Sequence, residues 1–140
     1  MTHTSQPTVE ILYGNVPAMT NFDVNFNDTG IASAVKKFSI QNSTTKPVLI
    51  KCWCEIITAF NGTTPVLTLG TTTAANEILA AADITEATPA FYPSGNGVGM
   101  LRLASSTGTP TPIYVKFTAT TPTTGKAKFY IQITPLFQGT

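Results

Sequence analysis

Ionised side chains are scarce in this sequence: they make up 11% of its 140 residues, against roughly a quarter in an ordinary soluble domain. Eight basic and seven acidic residues leave a net charge of +1. That balance offers no long-range field to draw in nucleic acid or an anionic lipid surface. Histidine occurs once, as His3 in a polar leading segment. A Ser–His–Asp or Cys–His arrangement needs the imidazole held against a nucleophile, which a loose arm does not provide. Cysteine occurs twice, at Cys52 and Cys54. Two positions apart on a strand, they share a face with Cβ atoms roughly 6–7 Å apart, too far for an unstrained disulfide. Free buried thiols and folding in a reducing cytoplasm are therefore expected. Together with His3 they fall short of a dependable set of zinc ligands.

Long apolar runs are missing too. The longest candidate, Val48 to Phe60, is broken by Lys51 and Glu55 and is shorter than a membrane span. The first seven residues lack the basic-then-apolar pattern of a secretory leader. Chemistry-bearing motifs are equally thin. Glu77, Asp83 and Glu86 cluster in sequence, but Glu77 reads as a favourable charge in a helix's first turn and Asp83 as a turn former. Gly95-Asn96-Gly97-Val98-Gly99 is glycine-rich yet lacks the strand-then-helix setting and the Lys-Ser/Thr ending of a phosphate loop. The expectation is a protein with no catalytic residues, no cofactor, no metal and no small-molecule substrate.

What the chain does have is β character. Hydrophobic residues make up 42%, enough for a real core in a chain of this length. The polar remainder is dominated by Thr, which suits a half-exposed pleated surface. A Thr surface gives up the charge repulsion that keeps proteins apart, which is tolerable where another molecule covers it. Short alternating runs are separated by Gly, Pro, Asn and Thr clusters. Val9 to Tyr13 reads as a first strand or as part of an extended lead-in. Phe22, Val24 and Phe26 alternate with polar residues, as do Phe38 and Ile40. Val48, Ile50, Cys52, Cys54 and Ile56 share one face of a central strand, and Lys51, Trp53 and Glu55 share the other. Pro65 to Gly70, Val98 to Ala104, Ile113 to Ala119 and Ala127 to Ile133 supply further strands. Ala74 to Ala82, Ala-rich with Glu77 near its start, is the one helical candidate.

In the last two strands Ile113, Val115 and Phe117, and Ala127, Phe129, Ile131 and Ile133, point inward; Tyr114, Lys116, Lys128 and Tyr130 point out. The connector Thr121-Pro122-Thr123-Thr124-Gly125 predicts a hairpin between them. The expected architecture is all-β: an antiparallel two-sheet sandwich of jelly-roll type with one short helix. Residues 1–18 form an extended N-terminal arm and residues 19–140 a single β-sandwich domain. The candidate partner contacts are Trp53, Tyr114, Lys116 and Tyr130, since aromatic residues are enriched at interfaces. The alternative for Trp53 is packing under a loop of its own chain.

Three stretches resemble small virion proteins of tailed bacteriophages, in particular capsid cement (decoration) proteins. They are Phe60-Asn61-Gly62-Thr63-Thr64-Pro65-Val66-Leu67-Thr68-Leu69-Gly70-Thr71, Glu77-Ile78-Leu79-Ala80-Ala81-Ala82-Asp83-Ile84 and Gly125-Lys126-Ala127-Lys128-Phe129-Tyr130-Ile131. The resemblance covers roughly the second half of the chain and carries no catalytic residue with it. It implies a β-sandwich dimer or trimer, made in the host cytoplasm and bound to the outer surface of a phage head. There it would clamp neighbouring major capsid proteins against internal DNA pressure, without contacting nucleic acid or membrane. Alternatives are another virion part, in the tail or at head completion, or a carbohydrate-binding β-sandwich with Trp53, Tyr92, Tyr114 and Tyr130 as its aromatic platform.

Overall fold

The computed structural model describes residues 8–11, 18–42, 47–92, 99–103 and 110–135. Nine strands form in chain order: β1 (Thr8–Ile11), β2 (Ala18–Asn25), β3 (Val35–Asn42), β4 (Val48–Thr58), β5 (Thr63–Gly70), β6 (Phe91–Tyr92), β7 (Met100–Leu103), β8 (Thr111–Thr120) and β9 (Lys126–Pro135). They make two sheets. One is four-stranded in the order β1-β3-β8-β5; the other is five-stranded, with β2-β9-β4 in sequence and β6 and β7 sharing the far edge of β4. All pairings are antiparallel except β1 with β3.

The strands form where alternation lets one face stay dry. Along β4 and β9 the burial alternates residue by residue, as a period-2 chain with one buried face requires. Val48, Ile50, Cys52 and Cys54 of one sheet oppose Leu67, Leu69, Ile113 and Val115 of the other in a single buried cluster. Each such side chain contributes about 1.5–3 kcal/mol on leaving water. Aromatic pairs tie the layers together: Phe22 of β2 stacks on Phe129 of β9 at 5.2 Å and meets Phe38 of β3 in the opposite sheet at 6.2 Å. Phe60 and Phe117 lie 4.7 Å apart.

Three sequence expectations change. The Thr121–Gly125 connector does not close a hairpin: β8 pairs with β3 and β5, whereas β9 pairs with β2 and β4. The connector crosses from one sheet to the other and is locked to the β4–β5 turn. The Asn61 Oδ1 accepts the Thr123 and Thr124 N–H groups at 2.7 and 3.0 Å, and the Thr124 hydroxyl donates to the Ala59 carbonyl at 3.0 Å.

The helix expected from Ala74 to Ala82 does not form either. Ala75 sits at φ +54°, the Ile78 and Leu79 N–H groups donate to the Leu69 carbonyl, and only Ala81–Asp83 coil, as one 3₁₀ turn. Pairing with the open edge of β5 wins over the helix propensity of alanine. Among the described residues, helical structure is confined to this turn and another at Ile31–Ser33. Finally, Thr8–Ile11 of the expected arm is a strand of the four-stranded sheet, and β2 begins at Ala18, one residue inside the arm's expected boundary. Residues 1–7, His3 among them, and Gly95–Val98 lie outside the described residues.

Candidate functional site

The outer face of the five-stranded sheet gathers what the rest of the described surface lacks. Among the described residues the exposed large apolar side chains are Met19, Ile57, Phe91 and Met100, and all four stand on strands of this one sheet. Register arranges the outward residues at its centre in three rows across the strands. The central row runs Asn21, Tyr130, Trp53; on one side lie Met19, Gln132, Lys51 and Met100, and on the other Asp23, Lys128, Glu55 and Phe91. Trp53 and Tyr130 are directly opposed across β4 and β9, a cross-strand aromatic pair worth about 0.2–1 kcal/mol over alanine.

Phe91 leans toward Tyr130 at 6.2 Å between ring centroids. With Met19 and Trp53 they wall a shallow recess of about 460 Å³. Met19 and Phe91 are 68% and 58% exposed, so water covers apolar surface here that folding alone does not bury. The aromatic row is held in place by polar neighbours. The Tyr130 hydroxyl donates to Glu55 Oε1 at 2.9 Å, and that hydrogen bond pushes the phenol's pKa up. Lys128 Nζ sits 5.9 Å from the Tyr130 ring centre. The recess thus offers thioether, indole and phenyl surface bordered by charges of both signs, which suits reception of another chain's apolar side chains.

The four residues expected as partner contacts separate into two pairs. Trp53 and Tyr130 belong to the recess. Tyr114 and Lys116 lie on β8 and pair with Gly70 and Thr68 in the other sheet, so their outward side chains face the opposite side of the sandwich. Lys116 there borders a groove of about 380 Å³ lined by small and polar residues such as Thr68, Ala74 and Asn76. The expected aromatic platform also comes apart. Tyr92 pairs with inward-facing Cys54 and donates its hydroxyl to the Thr88 carbonyl at 2.9 Å. Met19 and Phe91 take the places that sequence reasoning assigned elsewhere. Met19 was accessible from the pattern, since it is out of phase with the inward Phe22 and Val24; Phe91 sits in a stretch with no alternation to follow.

The carboxylates serve structure. Buried Glu86 accepts the Leu67 N–H at 2.9 Å through Oε2; burial pushes its pKa up, with that hydrogen bond pulling the other way. Partial desolvation raises the Glu77 carboxyl, but donation from the Thr72 hydroxyl and the Thr71 and Thr72 amides outweighs it, and its pKa is lowered. Cys52 and Cys54 are free, buried thiols, and burial pushes both pKa values well up. Among the described residues no three His, Cys, Asp or Glu side chains converge as a metal site would need. Among the described residues no helix is long and apolar enough to cross a membrane. Comparison with known proteins finds no matching family model, no similar curated protein and no similar solved structure.

Proposed function

We propose that this protein is a structural subunit that works by docking other protein chains, as a capsid cement protein does on the outside of a phage head. One observation carries the reading: the exposed large apolar side chains of the described residues collect on one sheet, and two of them, Met19 and Phe91, wall a recess with Trp53 and Tyr130. Contiguous exposed apolar surface rimmed by polar groups marks an interaction site. The recess offers few hydrogen-bonding groups beyond the Tyr130–Glu55 pair, which favours a protein occupant over a sugar. The low charge of the remaining surface fits a subunit repeated over a lattice, where many weak contacts add up to firm attachment.

The strand orders support a jelly-roll topology. Successive strands from β2 to β5, and again from β7 to β9, alternate between sheets, which places β2-β9-β4-β7 against β3-β8-β5. The function is tested by cosedimentation with empty phage heads assembled from major capsid protein alone. Wild type is expected in the pellet, and Met19→Ser/Phe91→Ser, altered only at exposed positions, is expected to bind about tenfold more weakly, the loss of two apolar anchors. A wild-type chain that stays in the supernatant at saturating head concentration sinks the reading.

A further inference from the structure

We infer that the Trp53–Tyr130 face is occupied by a second copy of this chain, packed face to face about a two-fold axis, with Glu55 of each copy set against a lysine of the other. The inference rests on the reading that this face docks protein and names the occupant as a second copy; the pair then meets the head through its remaining surface, and Met19→Ser/Phe91→Ser weakens head binding by removing the avidity of the pair.

The layout of charge on this face suits a second copy. A two-fold contact must be self-complementary, because each patch meets itself turned over. Within the three rows the acids are Asp23 and Glu55 and the bases Lys51 and Lys128, with Trp53 and Tyr130 between them. An axis running across the strands along the central row lays one outer row on the other. Glu55 then faces the second copy's Lys51, Phe91 faces its Met100, and the aromatic row meets its own counterpart. An axis running along the strands between β4 and β9 keeps the rows and exchanges the strands. Glu55 then faces the second copy's Lys128, Met19 its Met100 and Trp53 its Tyr130. Either axis sets Glu55 against a lysine at the centre of the contact and aromatic on aromatic beside it; Asp23, on the edge strand β2, lies over the second copy's Met19 with the first axis and over its Phe91 with the second. A partner surface of a single sign would meet like charge at one of these positions, a costly juxtaposition. Sheets that pack this way keep their strands within about 30° of parallel, so the rows stay near register at the centre.

Analytical ultracentrifugation of the purified full chain tests this. Wild type is expected to be a dimer. Glu55→Lys creates two like-charge contacts per dimer and is expected to weaken it about tenfold or more. Mixing decides the rest. Glu55→Lys chains mixed with Lys51→Glu chains regain the dimer if the axis crosses the strands, and mixed with Lys128→Glu chains if it follows them; a misfolded variant gives neither rescue. Either rescue supports the inference. A monomeric wild type, an unweakened Glu55→Lys dimer, or failure of both mixtures by variants whose circular dichroism matches wild type overturns it. A monomer that still cosediments with heads through Met19 and Phe91 would overturn the second-copy assignment alone and leave the docking function standing.

Discussion

Glu86 holds a position few carboxylates occupy: it is 7% exposed and spends one oxygen on a backbone N–H that has no strand partner. Its pKa in the folded protein lies above the ordinary carboxyl value of about 4.3. The neutral form is thus the better tolerated one, so its stabilising contribution is complete below the unfolded-state pKa and declines as pH rises through the folded one. Urea unfolding over pH 4 to 8 should show wild type losing stability relative to Glu86→Gln as pH rises, because Gln keeps the acceptor without the charge. Glu86→Ala leaves the Leu67 N–H orphaned and should cost about 1–3 kcal/mol at every pH. Equal pH dependence in wild type and the Gln variant would show that the carboxyl titrates as if in water. Nothing in the local sequence marks Glu86 for this duty. It depends on the return of the chain nineteen positions later to the edge of β5, which periodicity does not encode.

Between elements, the decisive joints lie where the chain changes sheet. Gly125 sits at φ +147°, and a Cβ there would stand 2.1 Å from the Phe60 ring. Phe60 is buried at the same corner where Asn61 grips Thr123 and Thr124. Gly125→Ala should therefore destabilise the fold by about 2–4 kcal/mol, overpacking and backbone strain together, read as a lower urea midpoint with unchanged slope.

The edge of β5 gives a second expectation. The Leu69 N–H donates to the Leu79 carbonyl and the Leu67 N–H to Glu86, so both amides should exchange with deuterium as slowly as those of central β8; fast exchange would show the cover to be open. This covering also explains the missing helix. Alanine composition spoke for a helix, while Ile78 and Leu79 were needed as a partner for an open strand edge. The inward and outward faces of β2, β4, β8 and β9 were legible because burial follows alternation. The sheet each strand joins was not, because a residue pointing to a shared core alternates identically from either side. Tyr114 and Lys116 were accordingly grouped with Tyr130 although the sandwich lies between them.

For the molecule as a whole, the fold leaves one broad side unfinished. Trp53 is the sole tryptophan and lies at the centre of that side, so its emission reports directly on cover. Dilution should shift the fluorescence to the red as the indole meets water, with a midpoint that matches the dissociation constant from sedimentation; emission independent of concentration while mass changes would place the contact elsewhere. Half of the candidate site, Trp53 and Tyr130, could be read from outward positions on two alternating strands. The other half could not, since Phe91 sits on a two-residue strand whose only guide is its pairing with Glu55.

The central place of β9 has a bearing on how the chain comes to be folded. β9 lies between β2 and β4 and is the sole strand joining them. Until residues 126–135 leave the ribosome, those two strands have no common neighbour, and the Asn61 clasp, whose partners lie 62 and 63 positions away, cannot shut. Such distant pairings are slow to form. A nascent chain stopped before Lys126 should stay unstructured by circular dichroism and collect in the insoluble fraction, rather than settle as a smaller domain, because it presents two bare strand edges and a core that lacks Ala127, Phe129, Ile131 and Ile133.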